Sequence, residues 1–241
     1  MAANYTYQTH THGGMTLRII STHASNIKLE NTVENGDAKT VKNAGEYGIN
    51  GAFFVQYPQV EGQYENMVLN IAYYNGKCLR TKVTNRADAY TNDIGKGVIG
   101  WDDTKVRFDA IVTDADELDY VFDKNTWAQG GVALWLGFNN WREEYIEQGG
   151  SIGSDARRTA MVCNLKTDMI YLIITMSEVS VEDFRDAIQD FFGITDSLVL
   201  DGTYRGIMLD GGGSTQMYFG SSIDFSSGRA IPEIIAVRNK N

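Results

Sequence analysis

The stretch from residue 206 to residue 219, GIMLDGGGSTQMYF, decides the fold. An apolar run ends at Asp210, three glycines follow, and a second apolar run begins at Gln216. Short apolar runs on either side of a glycine turn predict two β-strands joined by a tight connection. The turn also predicts a candidate site, because glycine lets the backbone come close to a ligand. The alternative, at about even odds, is an ordinary turn that Asp210 caps.

The glycines themselves suggest which kind of ligand the turn could hold. Successive backbone amides of Gly211, Gly212 and Gly213 can form a concave site for an anion. The segment lacks the Gly-Lys-Ser/Thr ending of a nucleotide-binding P-loop, and it lacks the spacing of a dinucleotide fingerprint. The pattern therefore favours a phosphate-like group beside a carboxylate, with no nucleotide cofactor.

Outside this stretch, alternating apolar residues and turn signals predict many short strands and few helices. The clearest helix is 181–192, which Ser180 can cap and Gly193 can close, and a second helix is expected at 37–47. The strands are expected at 15–21, 26–30, 49–55, 67–74, 77–83, 105–113, 131–137, 160–165, 169–176, 206–210, 216–219 and 234–238. This order predicts one α+β domain over residues 15–241, a mainly antiparallel sheet with a few packed helices, after an N-terminal extension at 1–14.

Composition excludes several classes of protein. The 241 residues carry a formal net charge of −10, which argues against a nucleic-acid partner. No apolar run reaches the roughly 18 residues of a membrane span, and no signal peptide is visible, so we expect a cytoplasmic protein. Cys78 and Cys163 have no neighbours at metal-ligand spacing, so we expect reduced thiols and no metal. The oligomeric state stays open.

Two further segments carry candidate site residues. Asn50 and Gly51 precede two phenylalanines, and the Asn50 amide could bind a sugar hydroxyl or a phosphate oxygen. The alternative is a turn into a buried strand. Arg158 and Thr159 stand where an apolar strand begins, and an arginine there can hold a phosphate through two parallel hydrogen bonds. For the arginine, an exposed charge is the alternative, and in a globular protein it is the commoner outcome.

Taken in order, these segments resemble the phosphodiester glycosidase family. The resemblance rests on INGAFF at 49–54, Arg158-Thr159-Ala160 before a strand hairpin, an amphipathic helix, LDGGGST at 209–215, and a terminal strand preceded by Arg229 and Pro232. It spans roughly residues 15 to 238. Two departures are Ala52, where the family has glycine, and Met161-Val162, where it has Ile or Val followed by glycine.

The resemblance implies a hydrolase that cleaves the glycosidic C–O bond of a sugar-1-phosphodiester or a nucleotide-sugar-like substrate. Asp210 would then stabilise the oxocarbenium-like cation, attack it or activate water, and arginine and backbone amides would neutralise the departing phosphate. The implied site residues are Asp210 and Arg158 as catalytic groups, with Asn50, Gly51, Thr159, Gly211, Gly212, Gly213, Ser214 and Arg229 as binding groups. Asp155, Glu178 and Asp201 stay open as the second carboxylate.

Two other classes of function compete with this hypothesis. A binding protein on the same fold, for example one encoded by a phage, could sequester a phosphorylated sugar or nucleotide signal without turnover, since a fold does not guarantee chemistry. A structural domain of a virion or a cell wall would bind no small anion at all.

Overall fold

The computed structural model describes residues 5–33, 38–58, 64–79, 95–200 and 202–238. In these residues the strands are β1 (Tyr5–His12), β2 (Met15–His23), β3 (Ile27–Asn31), β4 (Gly48–Asn50), β5 (Phe54–Pro58), β6 (Tyr64–Val68), β7 (Ala72–Tyr74), β8 (Lys77–Cys78), β9 (Lys96–Trp101), β10 (Val106–Val112), β11 (Trp127–Ala133), β12 (Thr159–Asn164), β13 (Met169–Thr175), β14 (Tyr204–Met208), β15 (Gln216–Tyr218), β16 (Asp224–Ser226) and β17 (Glu233–Val237). The α-helices are α1 (Val41–Ala44), α2 (Trp141–Glu147) and α3 (Val181–Phe192).

The strands form two sheets and a separate hairpin. The large sheet has the order β1-β2-β13-β12-β14-β11-β7-β8, with β9 beside β11 and β10 beside β9. The small sheet has the order β16-β15-β4-β17-β3, and β5 pairs with β6. The pairings between these strands are antiparallel. With short helices, this is the mainly antiparallel sheet that the sequence predicts, at the β-rich end of the α+β class.

The central strands are buried on both faces, and this makes the molecule three layers thick. On β13, Leu172 and Ile174 belong to one apolar cluster, together with Ile49 and Ile235 of the small sheet. Ile173, between them, belongs to another cluster with residues of α2 and α3. Because side chains alternate across a strand, one strand contributes to both cores. The large sheet thus lies between the small sheet and helices α2 and α3, whereas α1 packs on the other face of the small sheet.

Helix α3 has the predicted bounds, whereas α1 is much shorter than predicted. The Ser180 hydroxyl accepts a hydrogen bond from the Asp183 amide at 3.0 Å, and Gly193 ends α3 with φ 67°. The predicted helix 37–47 is only Val41–Ala44, capped by Thr40 and ended by Gly45 at φ 75°. Residue 37 lies outside the described residues.

Several strands differ from their predicted bounds. The predicted strand 49–55 is two strands, β4 and β5, separated by residues 51–53. The Gly51 amide still donates to the Glu233 carbonyl of β17, while the Gly51 carbonyl accepts from the Asp210 amide. The predicted strand 67–74 is likewise divided between β6 and β7, and 131–137 lies earlier, in β11. Asn75 and Gly76 form the expected turn, with φ 53° and 74°, between β7 and β8, but residues 80–83 of the predicted second strand lie outside the described residues.

The segment 1–14, expected to lie outside the domain, contributes the edge strand β1 to the large sheet. His10 and His12 of this strand contact Asp190 of α3 at 2.7 and 3.2 Å. Cys78 is exposed and Cys163 is buried, and neither forms a disulfide. No helix in the described ranges is long and apolar enough to cross a membrane.

Candidate functional site

Asn50 joins the strand ends at which the candidate site lies. Its amide nitrogen donates to the Asp210 carbonyl at 2.7 Å, and its amide oxygen accepts from the Thr159 hydroxyl at 3.1 Å and the Gln216 amide at 3.0 Å. The residue is 1% exposed. Asn50 therefore ties β4 to the ends of β12, β14 and β15. This differs from the expected contact with a ligand, because protein groups already use both ends of the amide.

Thr159 belongs to the same hydrogen-bond network. It is fully buried, and its hydroxyl lies 3.3 Å from that of Thr215. Its carbonyl accepts from the Leu209 amide at 2.9 Å, which continues the β12–β14 ladder up to Asp210. Asn50 and Thr159 thus position the 209–215 turn from behind. The sequence predicted both residues near the turn, and their role in ligand binding stays a prediction.

The glycine turn is a short 3-10 turn over Gly212–Ser214, and Gly212 has φ 57°. The Gly212 amide donates to the Arg157 carbonyl at 2.8 Å, and the Gly211 amide donates to the Asp210 carboxyl at 3.0 Å. These two amides are therefore engaged within the protein, which departs from the expected anion site formed by successive amides. A Cβ on Gly211 would lie 2.7 Å from the Arg157 carbonyl oxygen, so glycine allows the turn to approach β12.

Asp210 is half-buried at the centre of this arrangement. Burial raises the pKa of its carboxyl, while hydrogen bonds from Ser214 and the Gly211 amide and the charge of Arg229 act in the opposite direction. A partly desolvated carboxyl with a raised pKa is typical of catalytic groups. Asp210 is therefore the described residue best suited to acid–base or charge-stabilising chemistry at this turn.

Arg229 is the cation that reaches Asp210, through Ser214. Its Nη1 donates to the Ser214 hydroxyl oxygen at 3.0 Å, and the same buried hydroxyl bonds to the Asp210 carboxyl. Arg229 is exposed, and its guanidinium lies 5.7 Å from the centre of the Phe54 ring. Gly213 lies under it, since a Cβ there would be 3.7 Å from the guanidinium carbon. Asp210, Ser214 and Arg229 thus form a connected group, which we call the Asp210 cluster.

Arg158 lies on the other side of the turn, and two of its guanidinium nitrogens already donate hydrogen bonds to backbone carbonyls. Its Nε donates to the Val179 carbonyl at 3.1 Å, and its Nη2 donates to the Ser154 carbonyl. It is 9% exposed and lines a cavity of about 160 Å³ together with Gly211. Arg158 therefore holds the loop before β12 while it presents its remaining edge to that cavity.

The cavity beside Gly211 is apolar apart from a few groups. Tyr145 of α2 lines this cavity but was not among the predicted site residues. Its burial raises the pKa of the phenol to about 12, so the hydroxyl remains protonated at neutral pH. Helix α2 was not predicted, because the segment 138–147 has no alanine or leucine face that would indicate a helix. The cavity is lined by Phe53, Val132, Tyr145, Gly149, Gly150, Ser151, Arg158, Met208, Leu209 and Gly211.

A larger cavity, of about 340 Å³, lies elsewhere, between the end of α3 and the start of β14. Its described lining residues include no carboxylate, histidine or arginine, so it offers no group for charge stabilisation. The smaller cavity is the better candidate site because chemistry depends on the residues and not on the volume.

The site differs from the expectation of a paired carboxylate. Asp155 and Glu178 are exposed, and neither lines the cavity beside Gly211. Asp201 lies outside the described residues. In the part of the chain that the structure describes, no group of three or more histidine, cysteine, aspartate or glutamate side chains could hold a metal ion.

One buried carboxyl near the turn was not foreseen. Glu233 at the start of β17 is 1% exposed, and its Oε2 accepts from the Ala52 amide at 2.8 Å. Burial raises the pKa of this carboxyl to about 7. Glu233 follows Pro232 in a terminal apolar strand, so its pattern indicated only the end of a loop. Its role becomes visible only through its contact with Gly51 and Ala52.

Solved structures of other proteins share this arrangement of sheets. The chain is similar in fold to the catalytic domain of zebrafish N-acetylglucosamine-1-phosphodiester alpha-N-acetylglucosaminidase. The TM-score is 0.64 at 15% identity, over 98% of this chain and 83% of the zebrafish chain. A hypothetical protein from Synechocystis has a TM-score of 0.53 at 13% identity, over 97% of this chain and 61% of its own.

No protein-family model matches the sequence, and no curated protein matches it. At such low identity, the structural likeness shows a distant relationship in fold. It does not transfer an activity, because one fold hosts many functions. Function has to be argued from the Asp210 cluster and the cavity beside it.

Proposed function

We propose that this protein hydrolyses the glycosidic C–O bond of a sugar-1-phosphodiester or a nucleotide-sugar-like substrate. The observation that carries the proposal is the Asp210 cluster, in which a partly desolvated carboxyl lies one hydroxyl away from an exposed arginine. The arginine suits the phosphate, and the carboxylate suits the positive charge that develops on the sugar. The fold likeness to a phosphodiester glycosidase domain supports the same reading.

The arginines around the turn add to this support. Within the described ranges, Arg157, Arg158 and Arg229 form no ion pair with a carboxylate, although the protein carries a net charge of −10. Arg157 lies 5.7 Å from the centre of the Phe225 ring, and its carbonyl holds the Gly212 amide. Three arginines near the turn that form no direct ion pair among the described residues favour an anionic ligand.

The reaction balances with water as the only co-reactant. The bond between the anomeric carbon and the bridging phosphate oxygen breaks, and its electron pair leaves on the phosphate, which Arg229 would neutralise. Water adds to the anomeric carbon, and its proton passes to the Asp210 carboxylate or to solvent. The products are a free sugar and a phosphate monoester. A separate general acid is less necessary here, because the leaving group departs as an anion.

One observation favours a second candidate, sequestration without turnover. Most glycosidases use two carboxylates. Among the described residues, Asp210 is the only carboxylate whose side chain belongs to the turn, and none lines the cavity beside Gly211. A site with one carboxylate and several cations could bind a sugar phosphate and leave it intact.

The test is incubation of the purified protein with glycosyl phosphodiesters and nucleotide sugars in ¹⁸O-labelled water, followed by mass spectrometry. The proposal expects ¹⁸O in the released sugar, because the C–O bond breaks. Label in the phosphate would mean P–O cleavage and would refute it. Intact ligand recovered from the denatured protein would establish the sequestering function. Asp210→Asn serves as the inactive control, and Asp123→Asn, at an exposed aspartate, as the matched control.

A further inference from the structure

Glu233 holds the segment behind the turn with both its main chain and its side chain. The Gly51 amide donates to the Glu233 carbonyl at 3.0 Å, and the Ala52 amide donates to Glu233 Oε2 at 2.8 Å. A Cβ on Gly51 would lie 2.6 Å from Oε2, so the carboxyl packs directly against this glycine. The absence of a side chain at position 51 is therefore what allows the carboxyl to enter.

The same segment bears on Asp210. The Gly51 carbonyl accepts a hydrogen bond from the Asp210 amide at 3.4 Å. The neighbouring Asn50 amide group donates to the Asp210 carbonyl at 2.7 Å. Residues 50–52 thus hold both backbone polar groups of Asp210, and Glu233 holds residues 51 and 52. Glu233 is two hydrogen bonds away from the candidate catalytic residue.

The environment of the carboxyl indicates its protonation state. Gln129 of β11 is the other polar side chain at this carboxyl. Among the described residues, the buried atoms Glu233 Oε1 and Gln129 Oε1 both lack a hydrogen-bond partner. An ionised carboxylate and an amide oxygen can only accept, so they cannot satisfy each other. A proton on Glu233 Oε1, donated to Gln129 Oε1, would satisfy both oxygens at once.

Among the described residues, no charged group of the elements packed on this carboxyl faces it. On β3, Lys28 and Glu30 lie 2.6 Å apart on the sheet face opposite to Glu233, since Glu30 is in register with Ile234. Tyr74 of β7 lies towards Lys28. The segment 48–52 and strand β11 carry no ionisable side chain. An ionised Glu233 would therefore be an isolated buried charge, which is strongly unfavourable.

We propose that Glu233 is a protonated positioning residue, which shares its proton with Gln129 and holds residues 51 and 52 in place, so that its ionisation loosens Asp210. Burial raises the pKa of this carboxyl to about 7, although the hydrogen bonds with the Ala52 amide and the Gln129 side chain act to lower it. The link to activity rests on the proposed function, whereas the protonation state does not. We assign Glu233 a positioning role because it is buried behind the turn and lines neither of the two cavities described above.

The first test needs no substrate, and its main readout uses the unmodified sequence. Protein labelled with ¹³C at the glutamate side-chain carboxyls is titrated by NMR. The proposal expects one glutamate resonance to titrate near pH 7, far above an ordinary glutamate at about 4.3. Glu233→Gln assigns the resonance by its disappearance, and Glu30→Gln, at the neighbouring strand, should leave it in place. A titration in which every glutamate ionises below pH 6 overturns the proposal.

The second test measures stability against pH. Folding raises the pKa of Glu233, so the folded protein binds the extra proton, and stability must fall as pH rises from about 4.5 to about 7. The urea midpoint should therefore decrease over this range in the parent protein and decrease less in Glu233→Gln. An amide at 233 can still accept from Ala52 and donate to Gln129. An equal slope in both proteins would contradict the proposal.

The activity arm applies if turnover is found. Glu233→Gln should keep kcat within about threefold at pH 6 and should lose less activity than the parent between pH 6 and pH 8. Loss of all activity in a folded Glu233→Gln would show a catalytic carboxylate instead of a positioning residue. If no substrate is turned over, the proposed function fails while the NMR and stability tests still decide the role of Glu233.

Discussion

At the level of single residues, Asp210 and Arg229 differ in how the protein holds them. Asp210 has both backbone groups held by residues 50–51 and its carboxyl held by Gly211 and Ser214. Arg229 is exposed and has one hydrogen bond from its guanidinium, to Ser214. A rigid carboxylate suits the stabilisation of a transition state, whereas a more exposed arginine suits the capture of a ligand.

Asp210→Asn separates these roles. On the proposed mechanism, the charge of Asp210 acts mainly on the cation that forms in the transition state, so ligand affinity should stay nearly unchanged. Turnover should fall by about a hundredfold or more, the effect of losing one well-placed electrostatic group. Calorimetry measures the affinity, and product formation measures the turnover. Loss of binding in the variant, with no product from the parent, would mean that Asp210 is a ligand contact or a structural cap.

The pH dependence follows from the raised pKa of Asp210. The carboxylate is the active form, and a raised pKa means that a higher pH is needed to ionise it. Turnover should therefore fall on the acid side at a pH above the ordinary aspartate value of about 3.9. Arg229→Ala removes a charge that favours ionisation, so the acid limb of the kcat profile should move to still higher pH. An unchanged limb would indicate that Arg229 does not act on Asp210.

The two arginines should give different phenotypes. Arg229→Ala should weaken binding of a glycosyl phosphate about tenfold with little change in stability, because an exposed charge contributes modestly. Arg158→Ala should instead lower the urea midpoint, since the Val179 and Ser154 carbonyls lose their donor. Arg142→Ala, at an exposed arginine paired with Glu182, is the matched control for both. Equal effects of Arg229→Ala and Arg142→Ala on binding would exclude Arg229 from the site.

At the level of elements, the short strand β4 connects the two halves of the site. It lies between β15 and β17, and Asn50 at its end ties the small sheet to β12 and β14. Gly48 at its beginning lies against β17 so closely that a Cβ would be 2.1 Å from the Ile235 carbonyl oxygen. The approach of β4 to β17 therefore depends on glycine at this position.

Gly48→Ala tests this dependence. The clash involves backbone atoms that cannot rotate away, so the substitution should destabilise the protein at the upper end of the roughly 1–3 kcal/mol usual for overpacking. Gly153→Ala is the matched control, because nothing lies within 4 Å of a Cβ there. Urea unfolding of both variants measures the difference. A Gly48→Ala protein as stable as Gly153→Ala would show that β4 and β17 separate easily.

At the level of the whole molecule, one apolar cluster joins the small and large sheets. It includes Ile49 and Ile235 from the former and Met161, Cys163 and Ile207 from the latter. The two sheets cannot separate without exposing this shared core, so we expect them to unfold together. Cys163 is fully buried within it, whereas Cys78 is exposed.

The two cysteines make this expectation measurable. A thiol reagent should label Cys78 rapidly and Cys163 only as fast as the whole protein unfolds. In urea, the labelling of Cys163 and the loss of circular dichroism should share one midpoint. Cys78→Ser provides a protein with Cys163 as its single thiol. Labelling of Cys163 well below the unfolding midpoint would reveal two units that open independently.

Elements that depend on neighbouring residues could be predicted from the sequence. Ser180, the apolar spacing and Gly193 are enough to define α3, and Asn75-Gly76 is enough to define its turn, because caps and left-handed positions depend on adjacent residues. The glycine stretch after Asp210 likewise predicted a turn at a strand end. The helix 37–47 was overestimated because its apolar spacing did not show that Gly45 ends the helix after one turn.

The position of each candidate site residue relative to the 209–215 turn became clear only from the tertiary structure. Asn50 lies more than 100 positions from both Thr159 and Asp210 and meets them only through side-chain hydrogen bonds. The sequence cannot tell whether such side chains contact a ligand or one another. Glu233 had no local signal, since its burial arises from the missing side chain at Gly51 and from Gln129 on a different sheet. Whether a polar side chain binds a ligand or positions another residue depends on its hydrogen-bond partners, and those partners come from distant strands.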